Sequence, residues 1–315
     1  FRRDCKSTAS WWIEERIKEK SGSTNFAVVS NPEFLREGRA MQDFFHPDRI
    51  VIGCEDQRAK EILEDIYRPL YLIQTPFVWC NFETAELIKY ASNAFLATKI
   101  SFINQMANLA EALGADIHQV ARTMGMDGRI SPKFLHPGPG FGGSCFPKDT
   151  KAVAAMGRAH NVEMSLVEEV IRANDAQKKR VVEKLKTVMG GLKGKTAAVL
   201  GVAFKAETDD IRESPAITVV ERLLEEGAAV RVHDPKALAN FRKLFGDKIE
   251  YCDKIIETVK NADCFLIMTE WNSYRSIDLK TAHTEMKGNT IIDTRNVLDP
   301  ESAKKNGFNY FGTGR

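Results

Sequence analysis

"KTAAVLGVAFKAETDDIRESPAITVVERLLEEGAAVRVHDP", residues 195–235, comes shortly after Gly190 and Gly191 and changes the pattern of the chain. KTAAVLGVAF is a short apolar run of strand type. IRESPAITVVERLLEEG has helical spacing, with a proline near its start and a glycine at its end, and AAVRVHDP returns to a strand. A strand, a helix and a second strand in that order form a crossover unit whose strands lie parallel. The alternation continues through a helix near 236–245, IEYC, ADCFLIMTE and NTIIDTR, so residues 191–315 are expected to form a Rossmann-like α/β domain.

Upstream the chain is helical. From Thr84 to Leu113 an apolar period runs without glycine or proline and stops at Gly114. Thirty residues at 1.5 Å each give about 45 Å, longer than one small domain needs, so this helix is expected to bridge two domains or two subunits. Residues 149–160 and 165–189 are helical by the same criterion, which makes 84–190 a helical middle. Before it, FAVVS (26–30), RIVIG (49–53) and the strand-like YLIQTPFVWC, with a helix at 55–68, look like the tail of another α/β domain over 1–83.

A chain of 315 residues suits two domains of about 150 residues each. With 45 basic and 43 acidic residues well mixed and a net charge of +2, no face is committed to nucleic acid, although a local basic pocket for a small anion stays open. The six cysteines, at 5, 54, 80, 145, 252 and 264, include no C-x-x-C pair, so neither a metal site nor a disulfide framework is expected, and reduced thiols fit a cytoplasmic protein. No apolar run approaches the roughly 18 residues that span a bilayer, so no membrane partner is expected. Nowhere is there a G-x-G-x-x-G turn, a phosphate-loop signature or H-E-x-x-H. An opening on Phe1 rather than Met suggests missing residues in front.

The chemistry concentrates in a few stretches. In GFGGSCFPKD, Cys145 stands beside the start of a helix that holds Asp149, with Lys148 adjacent. A helix N-terminus and a cation suit a nucleophilic sulfur, while a buried thiol at a tight turn is the bland alternative. In ELIKYASN, Lys89 and Asn93 stand four apart on one helix face, able to hold an oxyanion or simply to join a solvated stripe. Glu33 and Glu37 in NPEFLREG are two loop carboxylates, a base and an acceptor or merely solvated. Lys205, Arg212 and Arg295 follow strands, at the carboxyl edge where open α/β sheets bind ligands, and arginine suits phosphate; capping or salt-bridge roles fit as well.

Taken in order, KST at 6–8, NPEFLREG, ELIKYASNAF, RISPKFLHPGPGFGGSCFPKD, GVAFKAETDDIRESP and IIDTRN resemble the UDP-glucose 6-dehydrogenase family from about Lys6 to the closing FGTGR. The resemblance implies an enzyme that oxidises UDP-glucose to UDP-glucuronate in two NAD-dependent steps, through a thiohemiacetal and a thioester on Cys145. It makes Lys89, Asn93 and Asp149 the holders of water and oxyanion charge, Glu33 the base of thioester hydrolysis, and Thr8 an orienter of water beside the cofactor. It places Glu37 between sugar and nicotinamide, and Lys148 and Arg212 on NAD. Phe34, Leu35, Phe134, Leu135, His136, Gly138, Gly140, Gly142 and Phe204 would line the substrate, Lys205 and Arg295 would meet its diphosphate or sugar oxygens, and Arg129 would be lent to a neighbouring subunit. The implied domains are a remainder of the NAD-binding domain (1–83), a dimerisation region (84–190) with the homodimer seam on helix 84–113, and a UDP-sugar-binding domain (191–315). The family's G-x-G-Y-V-G turn is not in this sequence, which implies an N-terminally truncated member that binds NAD feebly. GDP-mannose dehydrogenase, and a non-catalytic nucleotide-sugar-binding or dimerisation fragment, are the rival readings.

Overall fold

The computed structural model describes residues 9–315, so Cys5 and the KST motif with Thr8 lie outside the described residues. The chain divides into a first compact unit that ends at Ser92 and a second, Asn93–Arg315.

The first unit holds α1 (Ala9–Ser21), α2 (Ala40–Phe45), β1 (Ile50–Gly53), α3 (Gln57–Tyr67), β2 (Phe77–Cys80) and the opening turns of α4 (Phe82–Leu113). β1 and β2 pair in parallel from Ile50 opposite Phe77 to Gly53 opposite Cys80. All four residues of β1 are buried, as expected of a strand covered on both faces. Ile50, Ile52, Cys54 and Leu70 form the small core, against which Leu63 of α3 and Phe77 pack. Asp56 caps α3 by accepting from the Ala59 N–H at 2.8 Å. Helix α1, which the sequence pattern did not announce, is tied to α4 by Ser10, whose hydroxyl donates to Glu86 Oε1 at 2.8 Å.

FAVVS is not a strand. Only Ser30 pairs, in an antiparallel bridge with Gly53 (Ser30 N to Gly53 O 2.9 Å, Gly53 N to Ser30 O 2.7 Å). A single bridge satisfies one residue's backbone, and a ladder needs a partner along the whole segment. YLIQTPFVWC is likewise shortened to Phe77–Cys80, because Arg68–Ile73 turn as a 3₁₀ helix.

The second unit continues α4 and adds α5 (Ile117–Gly125), α6 (Cys145–Ala159) and α7 (Ser165–Met189). It then builds one parallel sheet from β3 (Thr196–Leu200), β4 (Ala229–His233), β5 (Glu250–Tyr251), β6 (Cys264–Ile267), β7 (Thr290–Asp293) and β8 (Asn309–Gly312), in the order β5-β4-β3-β6-β7-β8. That is the 3-2-1-4-5-6 order of a doubly wound sheet, with its switch point between β3 and β6. The connections carry α8 (Pro215–Glu225), α9 (Leu238–Phe245), α10 (Ile255–Val259), α11 (Asn272–Arg275), α12 (Leu279–Glu285) and α13 (Pro300–Lys305). The Rossmann-like fold expected over 191–315 is therefore present.

Central strands β3, β6 and β7 are buried almost throughout, and Val219 and Leu223 of α8, Phe241 of α9 and Phe308 close over them. Among the described residues no helix is long and apolar enough to cross a membrane, and no group of three or more His, Cys, Asp or Glu could hold a metal ion.

Leu223 is fully buried, whereas Leu244, on α9, is 51% exposed. Denaturant unfolding of Leu223→Ala is expected to show a loss of about 2–5 kcal/mol. Leu244→Ala should stay within about 0.5 kcal/mol of the parent.

Candidate active site

The glycine-rich segment ahead of Cys145 has no ladder to satisfy its backbone, so side-chain amides do this work. The Asn104 side chain on α4 accepts from the Gly138 N–H at 2.7 Å, and Gln177 Nε2 on α7 donates to the Gly138 carbonyl at 2.9 Å. Asn174, one turn before Gln177, accepts from the Phe141 N–H at 2.7 Å and donates to the Phe141 carbonyl at 3.0 Å. All four bonds are buried, and an unpaired buried group costs about 1–3 kcal/mol. The loop is thus held rigidly between two helices.

Its glycines are needed for close approach. A Cβ on Gly142 would lie 2.5 Å from the Glu213 carbonyl oxygen, and one on Gly143, at φ 79°, would lie 2.8 Å from the Phe204 ring. The Gly143 N–H donates to the Arg212 carbonyl at 2.8 Å.

Cys145 is the first residue of α6, one position earlier than Phe146-Pro147 would suggest, and its thiol is half-buried. The Ser144 hydroxyl lies 3.7 Å from Cys145 Sγ. One turn on, Asp149 is 1% exposed, and its two oxygens have separate partners. Asn93 Nδ2 donates to Oδ2 at 2.6 Å, and the Lys148 ammonium pairs with Oδ1. Of the other described cysteines, 54, 252 and 264 are buried. Burial pushes the Cys264 thiol up to about 12 and also raises Cys252 and Cys80.

The crevice at the carboxyl ends of β3, β6 and β7 gathers Phe204, Lys205 and Arg295. Arg295 Nε donates to the Met268 carbonyl at 2.9 Å and Nη2 to the Phe204 carbonyl at 3.1 Å. Glu270 Oε2 lies 3.2 Å from the same Nε without hydrogen-bond geometry, so it balances charge rather than taking that hydrogen. A Cβ on Gly138 would be 3.2 Å from Arg295 Nη1, and the Lys205 ammonium lies over the Phe204 ring at 5.4 Å. Asp234 sets the loop after β3: it accepts from the Val202 and Ala203 N–H groups at 2.8 and 3.0 Å, from Trp271 Nε1 at 3.2 Å, and from Lys236 N and Ala237 N, both at 2.9 Å.

Lys148 and Arg212 line one open cleft of about 640 Å³ with Ser144, Lys151, Lys178 and Glu213. Each of its four cations is already paired: Lys148 with Asp149, Lys151 with Glu213, Lys178 with Asp175 and Glu213, and Arg212 with Asp210. Phe134, at φ 65°, meets the Phe146 ring edge-on at 6.1 Å; Leu135, Gly138, Gly140 and Gly142 are buried, and His136 is exposed. Arg129 extends into solvent after α5, chelated by Asp127 through contacts of 2.6 to 3.2 Å.

In the first unit, Lys89 donates to the Glu33 carbonyl and pairs with Glu33 Oε1 at 3.0 Å, while Glu33 Oε2 accepts from the Leu35 N–H at 2.6 Å. Phe34 carries the Arg49 guanidinium at 3.7 Å and the Lys89 ammonium at 5.3 Å from its ring centre. Glu37 is exposed. The loop closes through Arg36, whose backbone N–H and guanidinium all bond Asp43 at 2.6 to 2.9 Å.

Family models match three consecutive parts of the chain: the NAD binding domain (3–71), central domain (83–176) and UDP binding domain (198–300) of the UDP-glucose/GDP-mannose dehydrogenase family. The chain is 46% identical to the UDP-glucose 6-dehydrogenase of Rhizobium meliloti over 306 residues, which is 96% of this chain and 70% of that protein. The chain belongs to the UDP-glucose/GDP-mannose dehydrogenase family. Within that family it is also 45% identical to the UDP-glucose 6-dehydrogenase of Rickettsia bellii, over 95% of this chain and 69% of the relative. A solved UDP-glucose dehydrogenase from the hyperthermophilic archaeon Pyrobaculum islandicum superposes with a TM-score of 0.88 at 40% identity, covering 96% of this chain and 67% of that one.

Asn104, Asn174, Gln177, Glu213 and Asp234 were not found by reading motifs. Polar amides at 174 and 177, three apart on the face of α7 that is otherwise Val170, Val181 and Leu185, were the available signal.

The Arg36 hydrogen bond holds the Asp43 carboxyl at about 2, below the ordinary value of about 3.9. The folded value is the lower one, so this latch stabilises the loop above about pH 4 and is lost as pH falls toward 2. Protection of residues 36–45 against hydrogen exchange, taken relative to the intrinsic amide rate at each pH, is expected to fall across that window; Asp43→Asn should lack this protection at every pH. Equal protection of the two proteins at pH 5 would show that the latch does not hold the loop.

Proposed function

We propose that this chain oxidises UDP-glucose to UDP-glucuronate with NAD as oxidant and Cys145 as nucleophile. The observation that carries the reading is the placement of Cys145 at the N-terminus of α6, directly after a rigid glycine segment packed against Phe204 and Arg295. Similarity to UDP-glucose 6-dehydrogenases at 46% and 45% identity supports UDP-glucose rather than GDP-mannose. Residues 1–83 then serve the cofactor, 84–190 dimerisation and 191–315 the UDP-sugar.

The cations of the cleft beside α6 fit a polyanionic cofactor, with Lys148 and Arg212 as its ligands. Among the described residues of the first unit, no strand runs through a glycine-rich turn into a helix, so the pyrophosphate cradle of a dinucleotide fold is not among them. NAD, when bound, takes up hydride. Glu37 would lie between the bound cofactor and the sugar.

The chain's own residues do the rest. Once the sugar alcohol has given up a first hydride and its hydroxyl proton to become an aldehyde, the Cys145 sulfur bonds to that carbon, its proton passing to the carbonyl oxygen; loss of a second hydride and of that hydroxyl proton leaves a thioester. Water then attacks, the carbon–sulfur bond breaks, and the thiol regains a proton as the carboxylate departs. Asn93, with one amide hydrogen on Asp149, has a second to give to the oxyanion, and Lys89 supplies positive charge to it. Asp149 positions water, Glu33 is the base of hydrolysis, and Thr8 orients the water. Phe34, Leu35, Phe134, Leu135, His136, Gly138, Gly140, Gly142 and Phe204 line the sugar nucleotide. Lys205 and the remaining N–H groups of Arg295 meet its diphosphate, where a planar fork binds two oxygens at once.

Phe95, Phe102 and Leu109 are 66, 44 and 50% exposed and stand seven residues apart on α4, a stripe that suits a second copy of the helix. A homodimer closed there is the assembly we infer, with Arg129 lent to the neighbouring subunit. The free thiols suit the reducing cytoplasm.

NADH formation should reach two per UDP-glucose and be far slower with GDP-mannose, and Cys145→Ala should lower it by about 10³-fold or more, as loss of a nucleophile does. No NADH from UDP-glucose, together with a Cys145 no more alkylatable than Cys80, would favour a binding fragment instead. In sedimentation, Phe102→Glu is expected to convert the dimer to a folded monomer; an unchanged dimer would move the seam elsewhere.

A further inference from the structure

Glu213 lies next to the cysteine segment, and no motif reading assigned it a role. Its backbone is left-handed, at φ 51°, a conformation that crowds the Cβ of any L-residue and that glycine would adopt without strain. Such strain persists where the surroundings over-determine it. Here they do. Its carbonyl faces Gly142 so closely that a Cβ there would lie 2.5 Å from the oxygen, and the preceding carbonyl, of Arg212, receives the Gly143 N–H at 2.8 Å.

The side chain is anchored on both sides of the same segment. Glu213 Oε1 pairs with Lys151 at 3.0 Å, on the helix that Cys145 begins. Glu213 Oε2 lies 3.6 Å from the Lys178 ammonium on α7. Lys178 is 5% exposed, and its chain packs 3.3 Å from the position of a Cβ on Gly140. A surface ion pair alone would need neither the left-handed backbone nor a buried lysine.

We propose that Glu213 is a positioning residue: its left-handed peptide and its two lysine anchors fix the surface on which Gly142 and Gly143 rest, and so the direction in which the Cys145 sulfur is presented. The inference rests on Cys145 being the nucleophile of the proposed reaction. Its experiment therefore includes a measurement on the sulfur that needs no turnover.

In Glu213→Gln the shape is kept and the charge lost. Iodoacetamide alkylation of Cys145, followed by mass spectrometry of its peptide, is expected to slow about tenfold, and kcat to fall by a similar factor with KM for UDP-glucose within about twofold. Glu213→Asp should recover part of both. A lower melting temperature with parental alkylation and kcat would overturn the proposal and leave Glu213 a structural residue. Should Glu213→Gln fail to fold, Lys151→Met removes one anchor alone and should slow alkylation about threefold; parental alkylation in that variant overturns the proposal equally. If the parent forms no NADH, alkylation still decides the positioning claim, while the proposed reaction fails separately.

Discussion

The second unit depends on four buried hydrogen bonds between side-chain amides and a segment with no secondary structure. Asn104, Asn174 and Gln177 take the place of a neighbouring strand for Gly138 and Phe141. Without them the segment would bury unpaired N–H and C=O groups, and a loop normally avoids this by staying at the surface. With them, a flexible string of glycines and prolines becomes as fixed as the helices that flank it. Everything that follows in the chain inherits that fixity, including the first turn of α6 and its cysteine.

The same rigidity explains why the α/β domain and the helical region behave as one unit. Gly142 and Gly143 present bare backbone to Phe204 and to the Arg212–Glu213 peptide, so contact is made through main chain on one side and main chain or ring on the other. At the far end, the Gly314 N–H donates to Glu111 on α4 at 2.9 Å, and Lys184 on α7 donates to the Gly312 carbonyl at 2.6 Å. The crevice residues Phe204 and Arg295 are thereby held in register with the cysteine helix.

Much of this was legible in the sequence, for identifiable reasons. Helix 165–189 was readable because its apolar period holds up to the left-handed Gly190, and the alternation after Gly191 could only belong to a wound sheet. FAVVS failed because strand character needs a partner as well as apolar residues, and only Ser30 has one. Cys145, Asn93 and Asp149 were singled out through motif order, yet the bond between Asn93 and Asp149 is a fact of folding that spacing does not encode. Asp234 and Glu213 escaped notice since a carboxylate's importance here lies in which distant N–H or ammonium it meets.

Asp234 has one more implication. It stands at the end of the second strand of the doubly wound sheet, where dinucleotide-binding domains hold the acid that grips a ribose. Both its oxygens are consumed by the protein's own N–H groups. The domain has therefore satisfied this carboxylate internally, and a ribose hydroxyl would compete there with five native hydrogen bonds. A shared topology thus turns this carboxylate inward, from gripping a guest to shaping the loop after β3.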